Sequence, residues 1–101
     1  MLISAPGFAA GKAWTDLPNG LHGGNIMTVI VDPSAPQTFY VGTSGGGVFK
    51  STNGGNLWVA TKTGLANTDI LSLAIDPSSP QILYAGTNGG GIFKSTNAGG
   101  N

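Results

Sequence analysis

The sequence contains no cysteine, no glutamate and no arginine, and a single histidine, His22. Without cysteine there are no disulfides, thiolate metal sites or cysteine nucleophiles, and the redox compartment is left unread. Only Asp16, Asp32, Asp69 and Asp76 carry acid, balanced by four lysines, so the formal net charge is zero. A neutral chain offers no electrostatic footprint for nucleic acid or an anionic membrane. No apolar run approaches the ~20 residues that span a bilayer. The apolar opening, Met1 to Ala10, lacks the basic start of a signal peptide and is broken by Pro6. With 40% apolar residues the chain still stands apart from the disordered class, despite 18 Gly and 6 Pro among 101 residues.

What the sequence has in quantity is itself. Residues 41–56 read VGTSGGGVFKSTNGGN and residues 85–101 read AGTNGGGIFKSTNAGGN. Residues 14–57 laid over 58–101 need no gap and agree at nearly half the positions, a period of 44 residues that carries Trp14 to Trp58, Asp32 to Asp76 and Lys50 to Lys94. Such a repeat decides architecture before any local propensity does. Within each copy the pattern is strand after strand. Residues 26–31 and 70–75 are apolar save for Thr28 and Ser72, as expected of strands buried on both faces. Asp-Pro-Ser-x-Pro at 32–36 and 76–80 forms turns, and Thr38 to Thr43 and Ile82 to Thr87 are second strands. Gly-rich links at 45–47 and 89–91 lead into third strands at 47–52 and 91–96, and 57–63 is a fourth. The aromatics at repeat spacing, from Phe39 to Phe93, are expected in the core. No segment has helical periodicity. Four strands per 44 residues is the size of a propeller blade.

Ser51, Asn53, Gly55 and Trp58 in STNGGNLW, and Ser95, Asn97 and Gly99 in the second copy, resemble the Asp-box, with Asn53 where that motif most often has Asp. With the upstream glycine-rich pattern, residues 14–101 are similar to the Asp-box (BNR-like) β-propeller repeats of sialidases, xyloglucan-degrading glycoside hydrolases, sortilin-type receptors and photosystem assembly factors. The resemblance implies a structural turn after the third strand, away from the ligand face. The side chains suit that role: Asn53 and Ser51 can accept backbone N–H groups, and Gly55 admits a left-handed backbone.

The expected architecture is therefore an all-β propeller with two four-stranded blades' worth of chain. Residues 1–12 are expected to cap an edge, to overlay the 97–101 turn of a neighbour or to be disordered, with 13–17 a closing fourth strand, 26–63 a complete blade, and 70–101 a second blade lacking its own fourth strand. Two blades leave edges and apolar faces open. Completion by oligomerisation is expected, as a homotrimer of six blades or a homotetramer of eight. A piece of a longer propeller is the alternative.

The resemblance places the ligand face on the fourth-to-first and second-to-third strand loops, where the two copies also differ. His22, Asn25, Ser44, Asn67, Asp69 and Asn88 are the candidate ligand-binding residues, for a glycan or a protein. The loop carboxylate of Asp69 could instead serve as an Asx cap where the inner strand begins. No catalytic residue, metal site or cofactor is expected: His22 has no neighbouring partner, Asp32 and Asp76 serve turns, and a glycosidase needs two facing carboxylates. Phe49, not glycine, precedes Lys50-Ser51, so the glycine run is no phosphate loop. The functional expectation is a self-assembling scaffold or interaction module, not an enzyme. A purely structural or engineered unit and a fragment of a glycoside hydrolase are the alternatives.

Overall fold

A computed structural model describes residues 14, 16–17, 20–21, 24–61, 65 and 67–100. The strands are β1 (Ile26–Asp32), β2 (Ala35–Thr43), β3 (Gly47–Ser51), β4 (Val59–Ala60), β5 (Ile70–Asp76), β6 (Ser79–Thr87) and β7 (Ile92–Ser95). They form two antiparallel meanders, β1-β2-β3-β4 and β5-β6-β7, and no helix occurs among the described residues. The edge cap expected over 1–12 lies outside the described residues.

The Asp-Pro turns are tighter than the sequence implies. Asp32 Oδ1 accepts from the backbone N–H and the hydroxyl of Ser34, both at 2.8 Å, and Asp76 repeats this with Ser78 at 3.0 and 2.9 Å. The second strands consequently begin at Ala35 and Ser79, ahead of the expected Thr38 and Ile82. In the ladder Val31 faces Phe39 while Asp32 faces Ala35, so Pro36 sits in a bulge. A residue without an N–H is accommodated there at no cost in ladder bonds. The fourth strand, expected over 57–63, is only Val59–Ala60, with 62–64 outside the described residues.

Both boxes form as local cages. Ser51 Oγ accepts the N–H of Gly55 at 2.9 Å and donates to Asn53 Oδ1 at 2.9 Å, and that oxygen also accepts the N–H of Leu57 at 3.1 Å. Ser95 holds Gly99 N at 2.8 Å and Asn97 Oδ1 at 2.9 Å in the same way. Gly55 and Gly99 take φ of 92° and 75°. Ala98, which replaces Gly54, also sits left-handed at φ 59°.

The period of two along each strand sorts the core into two faces. Val41 and Phe49 are paired across β2 and β3 and bury Trp58, with Phe39 and Leu21 at the margin. Gly42 and Val48 are the next pair and point the other way. Onto that second face comes β5, forming a buried cluster of Val48, Ile70 and Ala85 edged by Leu65 and Leu73. Ile70 is fully buried, and a Cβ at Gly42 would stand 2.5 Å from its Cγ2. The glycine is the gap that the isoleucine fills. On the same face Tyr40 OH and Lys50 Nζ both donate to the carbonyl of Ala98, at 3.5 and 3.2 Å, tying the first sheet to the second box.

The expectation that residues 26–31 and 70–75 are buried on both faces does not hold. Ile26, Met27, Val29, Val31 and Leu71 are exposed, because each sheet has a neighbour on one side only. For the same reason the aromatics divide: Tyr40, Phe49 and Trp58 are buried, whereas Tyr84 is exposed.

Gly42→Ala should cost about 1–3 kcal/mol through overpacking against Ile70, read as a lowered urea midpoint. Gly86→Ala, whose new Cβ meets only the Ser72 hydroxyl, should cost less. Burial, and secondarily the Asp32 carboxylate, raises the Tyr40 phenol above its ordinary 10.0. The neutral phenol is thus favoured in the folded state, and its contribution is complete below pH 10.0 and lost as pH rises through the folded value. The urea midpoint of the wild type should fall more steeply than that of Tyr40→Phe above that pH.

Candidate functional site

Five of the six candidate ligand-binding residues converge on one edge of the molecule. Asn25 precedes β1, Ser44 follows β2, Asn67 and Asp69 lead into β5, and Asn88 follows β6. His22 lies outside the described residues. Convergence is enforced by backbone bonds between loops that are distant in sequence. Ser44 N–H donates to Asn25 O at 2.9 Å, and Ser44 bridges Asp69 as an isolated antiparallel pair. The N–H groups of Gly45 and Gly47 both donate to Thr68 O, at 3.1 and 2.9 Å, and the Thr68 hydroxyl returns a bond to Gly45 O at 3.0 Å. Gly45 and Gly47 stand at φ 97° and 82°, which aims both N–H groups at one acceptor.

The second loop set is closed by side chains. Asn67 Oδ1 accepts the N–H of Asp69 at 2.8 Å, and its Nδ2 donates to Asn88 O at 3.2 Å. Asn88 N–H donates to Asp69 O at 2.9 Å, and Asn88 Nδ2 to Asp69 Oδ2 at 3.1 Å. The Asx cap expected of Asp69 therefore belongs to Asn67. With its backbone N–H already taken by Asn67, the Asp69 carboxylate points to Asn88, and its Oδ1 accepts no hydrogen bond among the described residues. Thr68 is the residue the sequence reading missed. Its signal was the adjacent glycine run, whose left-handed N–H groups require an acceptor from outside their own turn.

Chemically the edge is a row of amides and a hydroxyl around one carboxylate, all exposed or half-buried. Such groups donate and accept with a hydroxyl-rich ligand without changing charge. Asp32 and Asp76 lie at the opposite ends of β1 and β5, in the turns already described. The Ser78 hydroxyl, then its backbone N–H, hold the Asp76 carboxyl below its ordinary 3.8. An acid so held is ionised at neutral pH and is a poor proton donor. Among the described residues no three His, Cys, Asp or Glu side chains gather as metal ligands.

No protein family model matches the sequence, and no curated protein matches it. Solved structures do. An ancestral GH74 enzyme superposes with a TM-score of 0.71 and 32% identity over 89% of this chain, which corresponds to 11% of that enzyme. The GH74 xyloglucanase from Xanthomonas campestris superposes with a TM-score of 0.59 over 70% of this chain and 13% of its own, and at 19% identity that likeness is one of fold. The chain thus spans about a tenth of the structures it resembles. Xyloglucan-degrading glycoside hydrolases were among the propellers that its repeat resembles.

Proposed function

We propose that the chain supplies two adjacent blades of a β-propeller of the GH74 glycoside hydrolase kind, and that its polar loop edge faces a β-glucan. The observation that carries this reading is the convergence of Asn25, Ser44, Asn67, Asp69 and Asn88 at one edge. The 32% identity to the ancestral GH74 enzyme over 89% of this chain supports it. The edge recognises sugar hydroxyls through amides held rigid by the loop network, the arrangement in which binding residues are presented by a stiff scaffold. The reading assigns the chain a share of the glycan surface and no bond cleavage of its own. Asp69 is the single carboxylate on this edge among the described residues, and hydrolysis needs an acid and a base or nucleophile facing one another.

Xyloglucan cast into a native gel should retard the protein, and cello-oligosaccharides should compete. Asn25→Ala removes an exposed side chain while keeping the carbonyl that Ser44 uses, and Asp69→Asn keeps the shape of the carboxylate. Each should weaken retardation by about two- to tenfold, the worth of one hydrogen bond. Unretarded migration at every polysaccharide load would overturn the reading. Release of reducing sugar that disappears in Asp69→Asn would replace it with an enzymatic one.

A further inference from the structure

The two boxes share their serine-centred bonds, and behind the first lies an indole. Trp58 packs on Val41 and Phe49, with Leu21 and Phe39 beside it, and its Nε1 donates to Leu17 O at 3.1 Å. Forty-four residues on, these positions are Ala85, Phe93, Leu65, Leu83 and, for Leu17, Thr61. Those five residues line a cavity of about 260 Å³ between the two sheets. Its walls are the repeat counterparts of those around Trp58. Thr61 Oγ1, in its wall, is buried without a hydrogen-bond partner among the described residues.

The other tryptophan, Trp14, is the repeat counterpart of Trp58 and stands 91% exposed. Its own chain cannot bring it to the cavity while the first sheet is intact. Leu17, three residues on, is bonded by the Trp58 indole on the Val41–Phe49 face, and the cavity opens on the Val48 face. The second sheet also repeats, uncovered, the surface with which the first sheet holds it. Ile92 stands where Val48 is buried and is 78% exposed, and Tyr84 and Lys94 stand where Tyr40 and Lys50 grip the carbonyl of Ala98. On the first sheet Ile26, the counterpart of the buried Ile70, is exposed. Each half of the inter-sheet contact is therefore present a second time, and exposed among the described residues.

We propose that this cavity is a docking site for Trp14 of a second copy of the chain. The indole enters between the sheets and donates its Nε1 proton to Thr61 O, as Trp58 does to Leu17 O. Asp16 and Leu17, which follow it, lie along β7 as Ala60 and Thr61 lie along β3, where Ala60 faces Phe49 and Thr61 N–H donates to Val48 O at 2.8 Å. The first sheet of the arriving copy then covers Ile92 with its Ile26. A tryptophan buries some 150–250 Å² in such a site. The giving and receiving surfaces differ, so the contact is heterologous and each copy can both give and receive.

Sedimentation of the full chain over a range of concentrations tests this, alongside Trp14→Ala, which removes the giving side chain, and Ile92→Asp, which charges the receiving face. Both positions are exposed, so each variant should keep the β-sheet circular dichroism of the wild type. Each should weaken self-association by at least about tenfold, as expected of a central aromatic anchor or a charge placed in an apolar contact. Mixed one to one, the two variants retain a single intact contact between them, the Trp14 of one with the cavity of the other. They should form a heterodimer and nothing larger. A wild type that stays monomeric throughout leaves the cavity to another occupant and overturns the proposal. So does Trp14→Ala that associates like the wild type, or a mixture that associates no better than its components.

Discussion

The seating of Ile70 over Gly42 is the contact on which the rest of the molecule depends. A missing Cβ lets β5 approach the backbone of β2 closely enough to bury a whole isoleucine, and no other residue at position 42 leaves that room. Once β5 is there, Asp69 is carried alongside Ser44, Thr68 comes under the glycine turn, and Ala98 comes within reach of Tyr40 and Lys50. Apolar burial supplies the attraction, and the hydrogen bonds at either end of the strands set the angle at which the sheets meet. The loop edge and the inter-sheet cavity are both consequences of this one approach.

The box contributes in a different manner. Its serine hydroxyl and asparagine amide satisfy backbone groups within a few residues, so it forms equally in both copies whether or not a tryptophan covers it. The indole belongs to a second, non-local layer. Trp58 seals the outer face of the first sheet with help from Leu17 and Leu21, which come from a separate part of the chain. A repeat protein divides its energy in this way between what each unit does alone and what neighbouring units do for each other.

Function follows the same division. The polar loop edge proposed to face a glycan belongs to no single copy of the repeat, since Asn25 and Ser44 come from one and Asn67, Asp69 and Asn88 from the next. The likeness to the ancestral GH74 enzyme extends over 89% of the chain but 11% of that enzyme. Its four carboxylates are dispersed: two hold Asp-Pro turns, one is bonded by an asparagine, and Asp16 stands exposed before Leu17.

Local chemistry alone determined much of this protein. The period of 44 residues, the meander of strands, the Asp-Pro turns, the left-handed glycines and the two boxes were all legible, because each rests on φ preferences and on bonds spanning a few residues. That the loops carrying Asn25, Ser44, Asn67, Asp69 and Asn88 share one edge was legible too, from the propeller resemblance. Only the tertiary structure decided which faces are covered. Residues 26–31 look as apolar as any buried strand, yet Ile26 and Val29 are open, and Tyr84 is exposed where its counterpart Tyr40 is fully buried. A sequence repeat assigns equal residues to equal positions, but burial depends on what stands opposite. The same cause made Asn67, not Asp69, the capping side chain.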